Sequence, residues 1–528
     1  MEKKKKLIIL GVIILILAIS GLTYAILTWT SSKINIGLTS GCFTIDYTKG
    51  QDISGNLKLL NESDLINNNK FTIKNGIGIS AVNIGIKSTC TIEGYGSIYL
   101  NVTNISDAFT TGDSKGALKY VVLDNTSTIT TPSSVTVDSL LNQSFDIVST
   151  GSITSSDTIT LLTKQLSNTE IYKYLVVIYV DNALAGNSIT SASFQGNISA
   201  SANQGKAPLA TQIIDLYNNA SKTIVTNNSI NYEYDTTNNL MQDVGGNIRY
   251  YGASPNNYVY FNCSDYANQT SSTCELWRII GVFDGKVKLI RNESIGRYSW
   301  DNKNESTGAE IYVGKNDWTD ARLMKLLNPG YDSETIGGSL YYNAKSGTCY
   351  NNANNATKDC DFTSIGIKNS ATRNLIQEVV YNLGGWNTEN VYSDFIYEKE
   401  RGTTVYKGRP TTWTGKIGLM YPSDYGYAAD FTKCKDASGN DLNIGSYSSD
   451  VNDYQCQKNN YLYKKMSELL LTHRSDYSFS VWYVSGGVMS YNYAYTSYNV
   501  RPVVFLSTTQ EIESGDGSES TPYQLKVN

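Results

Sequence analysis

One histidine in 528 residues leaves this chain nearly without the side chain that most often does acid–base and metal chemistry near neutral pH. A histidine-built zinc centre is excluded, and any nucleophile–histidine pair would have to use His473. His473 follows the apolar run Leu469–Leu470–Leu471, and no Ser, Cys or carboxylate stands at a motif spacing from it, so it is expected to be structural. There is no glycine-rich phosphate loop. The eight cysteines contain no C-x-x-C, which removes the close spacing that zinc sites use. A basic excess is missing as well: the net charge is −5, and without Glu2 and Lys3–Lys6 the balance becomes 39 basic against 47 acidic residues, about −8. Such a chain lacks the cationic face that nucleic acid requires, so no nucleic-acid partner is expected. No cofactor and no metal are expected either.

Long apolar runs are also scarce, with one exception at the start. Lys3–Lys6 lead directly into Leu7–Trp29, a cationic start followed by an apolar helix, which is the pattern of an export signal. The uninterrupted part, Leu7–Ile19, is shorter than the roughly 20 residues needed to span a bilayer. With Ser20, Gly21 and Thr23 buried, the whole stretch to Trp29 could span, and the lysines would hold the N-terminus inside. A retained signal anchor is therefore expected over residues 1–30, with the rest at the extracellular face of the membrane. The alternative is secretion after cleavage near Ala25, in Thr23-Tyr24-Ala25. Thr521–Asn528 has neither an apolar tail nor a basic end, so the membrane is expected to be reached through the N-terminal helix alone.

An exterior life suits the composition. An even number of cysteines falls into neighbours: Cys42 with Cys90, Cys263 with Cys274, Cys349 with Cys360, and Cys434 with Cys456. Sequential disulfides are the simplest arrangement, although eight cysteines allow 105 pairings in principle. Forty tyrosines accompany only 17% charged residues. Tyr with Ser, Gly and Asn is the vocabulary both of β-rich extracellular proteins and of binding loops.

From residue 31 to 205 the pattern is one of short strands. Ile98, Leu100 and Val102 alternate with polar neighbours, Tyr174–Val180 is a continuous apolar run of strand length, and Phe194–Ala202 alternates again after Gly186-Asn187. An antiparallel, Ig-like β-sandwich is predicted, pinned early by Cys42–Cys90. Residues 206–223 carry a short helical pattern, Leu209, Ile213, Leu216 and Tyr217 after Pro208, predicted as a linker, with the first helix of the following domain as the alternative. Residues 224–528 read as an α+β domain. The spacing predicts a hairpin of Leu276–Val282 with Val287–Arg291 across Asp284-Gly285, a helix containing Leu323, Leu326 and Leu327, and a second helix over Ser370–Leu383. Toward the end, Phe479–Val484 forms a strand, Ser485-Gly486-Gly487 turns, and Val488–Tyr498 continues with alternating tyrosines. The fold class is thus mostly β, with an α+β C-terminal domain.

Thr23-Tyr24-Ala25 followed by a small β-domain resembles the camelysin and matrix-fibre class of bacterial surface proteins over residues 1–204. Some of that class are called metallopeptidases, an activity that a domain without histidine is not expected to share. The closing hairpin before Val500-Arg501-Pro502-Val503 resembles the C-type-lectin-like fold of the formylglycine-generating-enzyme branch. Together with Trp277-Arg278-Ile279-Ile280-Gly281 and Gly418-Leu419-Met420-Tyr421-Pro422-Ser423-Asp424-Tyr425-Gly426, it is similar to an uncharacterised family of Firmicutes cell-surface domains. That resemblance implies a Gram-positive-type surface protein and is silent about activity. Catalysis of the formylglycine-generating type would need reactive cysteines, which neighbouring disulfides would consume, so no enzyme is expected.

The candidate site is a set of aromatics on the closing hairpin: Trp482, Tyr483, Tyr491, Tyr493, Tyr495 and Tyr498. Rigid rings with polar tips stack on sugars or anchor protein partners. The same rings could instead pack the sheet against its loops. Arg501 is expected to pair with a carboxylate or a backbone carbonyl beneath the hairpin. Asp436, Ser438, Asn440 and Asp441 resemble a calcium loop but lack its sixth-position glycine and closing glutamate. The expected function is a non-catalytic adhesin or recognition protein binding a surface glycan or protein, with a structural subunit of an extracellular matrix or fibre as the alternative.

Overall fold

The computed structural model describes residues 39–40, 43–49, 57–88, 94–125, 132–167, 170–204, 206–303, 313–388, 391–447 and 455–527. The segment Leu7–Trp29, Cys42 and Cys90 lie outside the described residues. Strand outweighs helix, 39% to 16%, which makes the chain mostly β. Among the described residues no helix is long and apolar enough to cross a membrane. Two compact units divide the chain, Met1–Ala207 and Pro208–Asn528.

The first unit is organised around the strand Ile171–Asp181, which lies antiparallel between Gly78–Ser88 and Leu118–Asp124. Its run Tyr174–Val180 is apolar throughout because both faces are buried. Tyr174, Val176, Ile178 and Val180 join one core, and Leu175, Val177 and Tyr179 join another. Alternate residues of a strand point to opposite faces, so a strand covered on both sides needs apolar residues at every position. Covering the first face is a three-stranded sheet in which Gly94–Ile105 runs between Thr158–Leu166 and Phe194–Gln204. Its Ile98, Leu100, Ile198 and Ala200 fill the shared core, matching the alternation in sequence.

The second unit begins with the helix Leu209–Asn219. Leu209, Ala210, Ile213 and Tyr217 are built into this unit's main core, so the segment expected as a linker serves as its first helix. A ten-stranded sheet follows, in which Glu275–Phe283 pairs with Ile248–Tyr250, Tyr258–Phe261 and Lys286–Arg291. The Asp284-Gly285 turn between the last pair has φ of 48° and 73°, the two positive values that an Asp-Gly hairpin supplies. A five-stranded sheet contains Arg297–Tyr298, Tyr498–Asn499, Glu468–His473, Ser480–Ser485 and Val488–Tyr493, with the last at its edge.

Two expectations for this unit are corrected. The helix predicted over Ser370–Leu383 stops at Leu375, and Val379–Asn382 is a strand paired with Thr412–Gly415. β-branched Val379 and Val380 prefer the pleated conformation, and the Gln377 N–H is drawn to the Phe505 carbonyl at 2.8 Å, away from helical partners. Likewise, the last tyrosine-bearing strand ends at Tyr493 rather than reaching Tyr498. Ala494 is buried, its N–H bonds the Phe479 carbonyl at 2.8 Å and its carbonyl accepts from the Asp301 N–H at 3.1 Å, which turns the chain there.

Candidate functional site

The three sequence motifs of the second unit have a structural role in common, since each contributes to buried polar linkages. Asp424 accepts from Lys288 Nζ at 2.5 Å, Arg249 Nη1 at 2.8 Å and the Tyr421 N–H at 2.8 Å. Burial alone would raise its pKa, but Lys288 and Arg249 hold it below the ordinary carboxylate range. Arg278 bonds Asn257 Oδ1 at 2.5 Å and lies 3.7 Å over the Tyr258 ring. Arg501 meets both kinds of partner expected of it, the Glu468 carboxylate at 2.7 and 2.8 Å and the Leu462 carbonyl at 2.8 Å. These groups are enclosed, so they organise the core and do not face a ligand.

Three disulfides follow the sequential pattern: Cys263–Cys274, Cys349–Cys360 and Cys434–Cys456. Among the described residues no cysteine is free. His473 is buried, and its pKa is pushed down to about 4 by burial, then by nearby Arg409. It is therefore neutral at physiological pH and closed to solvent, unsuited to proton transfer with a substrate. In the loop around Asp436, one carboxylate oxygen accepts from the Ser438 and Asn440 N–H groups at 2.8 Å each, the other from Asn440 Nδ2 at 3.0 Å. Asp441 pairs with Lys435 and accepts from the Asn228 N–H. Asp436 thus closes the turn and Asp441 ties the loop to Lys435 and Asn228, and among the described residues no group of three metal-ligating side chains forms.

The hairpin aromatics separate by face. In the antiparallel register Trp482 lies opposite Tyr491 and Ser480 opposite Tyr493, so these side chains share one face. Tyr483 lies opposite Ser490 on the other face, where it stacks on Tyr498 at 4.3 Å and 8° between planes. Burial pushes the Tyr498 hydroxyl up to about 12, so it stays protonated near neutral pH. Trp482 is fully buried and stacks on Trp386 at 5.0 Å and 15°. Tyr491 stands edge-on to Trp482 at 5.8 Å. Beyond the strand end Tyr495 stacks on Tyr493 at 5.6 Å and 15°.

Three residues from outside the hairpin pattern, Arg474, Tyr477 and Trp386, complete the arrangement together with Phe479 at the start of the hairpin. Phe479 packs against Tyr493 at 5.3 Å and against Tyr477 at 5.5 Å. The Arg474 guanidinium lies 3.8 Å over Tyr491, 5.2 Å from Tyr477 and 5.4 Å from Trp482. It is fixed by Asp476 at 2.9 and 2.6 Å and by the Asn387 carbonyl at 2.8 Å. Trp386 reaches Trp482 because Gly385 lets its backbone approach the His473 carbonyl; an added Cβ would sit 2.5 Å from that oxygen. The Gly384-Gly385 pair was the available signal for Trp386.

Exposure distinguishes this patch from the rest of the tyrosine-rich chain. Among the described residues the large aromatic side chains left exposed are Tyr477, Tyr491 and Tyr493, at 44%, 39% and 42%, and all three belong to this one assembly. The Arg474–Asp476 pair cancels its own charge, so the surface is aromatic, hydroxyl-tipped and close to neutral. No protein-family model matches the chain, and no curated protein matches it.

Proposed function

We propose that this chain is a cell-surface recognition protein, an adhesin, in which a C-type-lectin-like α+β domain on an Ig-like β-sandwich stalk presents a non-catalytic binding face to a glycan or protein ligand. The carrying observation is the convergence of the exposed aromatics Tyr477, Tyr491 and Tyr493 on a hairpin stiffened on the same face by the Trp386–Trp482 stack. Exposed aromatic clusters mark interaction sites, and rings already held by neighbours lose little freedom on binding. The export segment at Lys3–Trp29 supports placement at the cell surface. The buried neutral His473 and the paired cysteines of the second unit support a role without catalysis.

The test is binding of the full chain to arrays of oligosaccharides and of extracellular proteins, followed by Tyr491→Ala and Tyr493→Ala. Each substitution is expected to weaken binding about tenfold to a hundredfold with an unchanged melting temperature. A ligand held equally well by both variants would overturn the assignment. Concentration-dependent filaments with no saturable ligand would favour a fibre subunit.

A further inference from the structure

Cations in the second unit commonly end on carboxylates: Arg249 and Lys288 on Asp424, Arg291 on Glu275, and Arg501 on Glu468. Arg297, Arg322 and Lys358 do not. Their side chains donate to neutral partners, while the Arg322 backbone N–H donates to the buried Asp301 carboxylate at 3.3 Å. Arg322 Nη1 donates to Asn302 Oδ1 at 2.9 Å and Asn355 Oδ1 at 2.6 Å, Lys358 Nζ to the Arg297 carbonyl at 2.6 Å, and Arg297 Nη2 to the Ser497 carbonyl at 2.7 Å. Among the described residues none of the three meets a carboxylate within ion-pair distance, and Arg322 keeps Nε and Nη2 without a protein partner.

These cations surround one feature. The hairpin of Ser346–Tyr350 and Thr357–Asp361 is clamped by Cys349–Cys360, and Lys358 lies opposite Cys349. Arg322 stacks 3.7 Å over Tyr350, and Lys358 sits 4.1 Å over Tyr298. Tyr298, Tyr350 and Arg322, with Leu323 and Leu326, line a shallow pocket. The hairpin's loop is tied to the same surroundings, Asn352 N–H to Ser497 Oγ at 3.3 Å and Asn355 N–H to the Asn302 carbonyl at 3.0 Å. Lys358 is held below the ordinary lysine range by burial and then by Arg297.

A positive site in an acidic chain, in which no carboxylate among the described residues comes within ion-pair distance of the three cations, is chemically complementary to an anion. We propose that Arg297, Arg322 and Lys358 around the 351–356 loop form a binding site for an oxyanion, the phosphate or sulfate ester groups of a polymer. The guanidinium fork of Arg322 matches two oxygens of one such group, and its stacking on Tyr350 holds that fork in place. Lys358 and Arg297 provide point charges to the next group, so a chain of esters gains more than a single ion does. This site is distinct from the tyrosine patch and does not depend on its role.

The experiment measures binding of a polyphosphate and of dextran sulfate to the immobilised full chain at two salt concentrations, with neutral dextran as control. One or both polyanions are expected to bind, more weakly at the higher salt. Lys358→Gln and Arg322→Ala should each weaken that binding by about tenfold and lower the slope of log affinity against log salt by about 1. Arg322→Lys should fall between Arg322→Ala and the native chain. Binding of polyphosphate alone identifies phosphate as the source, and of dextran sulfate alone sulfate. Should Arg322→Ala lose its fold, Lys358→Gln, at a half-buried position of the hairpin, carries the comparison. No binding above neutral dextran, or native affinity in Lys358→Gln, overturns the site.

Discussion

His473 and Glu400 show how burial sets the behaviour of single residues. Burial pushes Glu400 up to about 7, against the pull of Arg401 and the Ser423 N–H and hydroxyl, whereas His473 is driven down to about 4. The two act oppositely on stability. For His473 the unfolded chain takes up its proton near the ordinary 6.5 and the folded chain only near 4, so its contribution is present above 6.5 and lost as pH falls toward 4. For Glu400 the contribution is full below the ordinary 4.5 and lost as pH rises through about 7. Between 4.5 and 6.5 the slopes oppose, so the native chain should show a shallow pH dependence there from these two groups. Glu400→Gln should make stability fall more steeply on acidification, and His473→Gln should make it rise, each by on the order of 2 kcal/mol across the window. Urea unfolding at about pH 5 and about pH 7 measures both. Because His473 is the chain's one histidine, a single imidazole resonance reports its titration directly. A midpoint near 6.5 in the folded protein, the ordinary histidine value, would contradict the burial of this ring.

At the scale of elements, the hairpin that carries the tyrosines depends on its turn. Gly486 and Gly487 have φ of 57° and 83°, and an added Cβ at Gly487 would lie 2.3 Å from the Gln457 side chain, while one at Gly486 would meet nothing within 4 Å. Gln457 Nε2 itself donates to the Gly486 carbonyl at 2.6 Å. Gly487→Ala should therefore cost about 1–3 kcal/mol, and Gly486→Asn, a residue that tolerates this conformation, much less. Equal shifts in urea midpoint for the two variants would show that the turn does not constrain the hairpin. Elements closed by such local turns were readable in the sequence, as were strands whose alternation matches a one-sided core, such as Ile98–Val102. Segments decided by distant partners were not: Leu375–Leu383 has helical spacing, but Phe505 and the strand Thr412–Gly415 determine where its helix ends. The site divides in the same way. Tyr491 and Tyr493 are legible from their alternation on one strand, whereas Trp386, Arg474 and Tyr477 arrive from other loops, and which tyrosines stay exposed depends on packing that spacing does not encode.

Across the whole molecule, covalent restraint is distributed unevenly among the described residues. The second unit holds disulfides at sequence separations of 11, 11 and 22, while the described residues of the first unit hold none. Closing loops of these lengths stabilises by roughly 3 kcal/mol each in the chain-entropy picture, though the sum is not additive. The second unit also relies on enclosed ion pairs, Lys288–Asp424 and Arg501–Glu468, whose charges become costly once packing around them loosens. The first unit instead depends on apolar burial at both faces of Ile171–Asp181. Heat should therefore unfold the chain in two steps, and a reductant strong enough to open buried disulfides should lower the step of the second unit by many degrees. Hydrogen exchange resolved by peptide assigns each step: peptides from 258–298 and 346–361 should lose protection early in reductant. If reduction lowered both steps equally in a chain with Cys42 and Cys90 replaced by serine, the steps would not belong to separate units and this division of stability would fail.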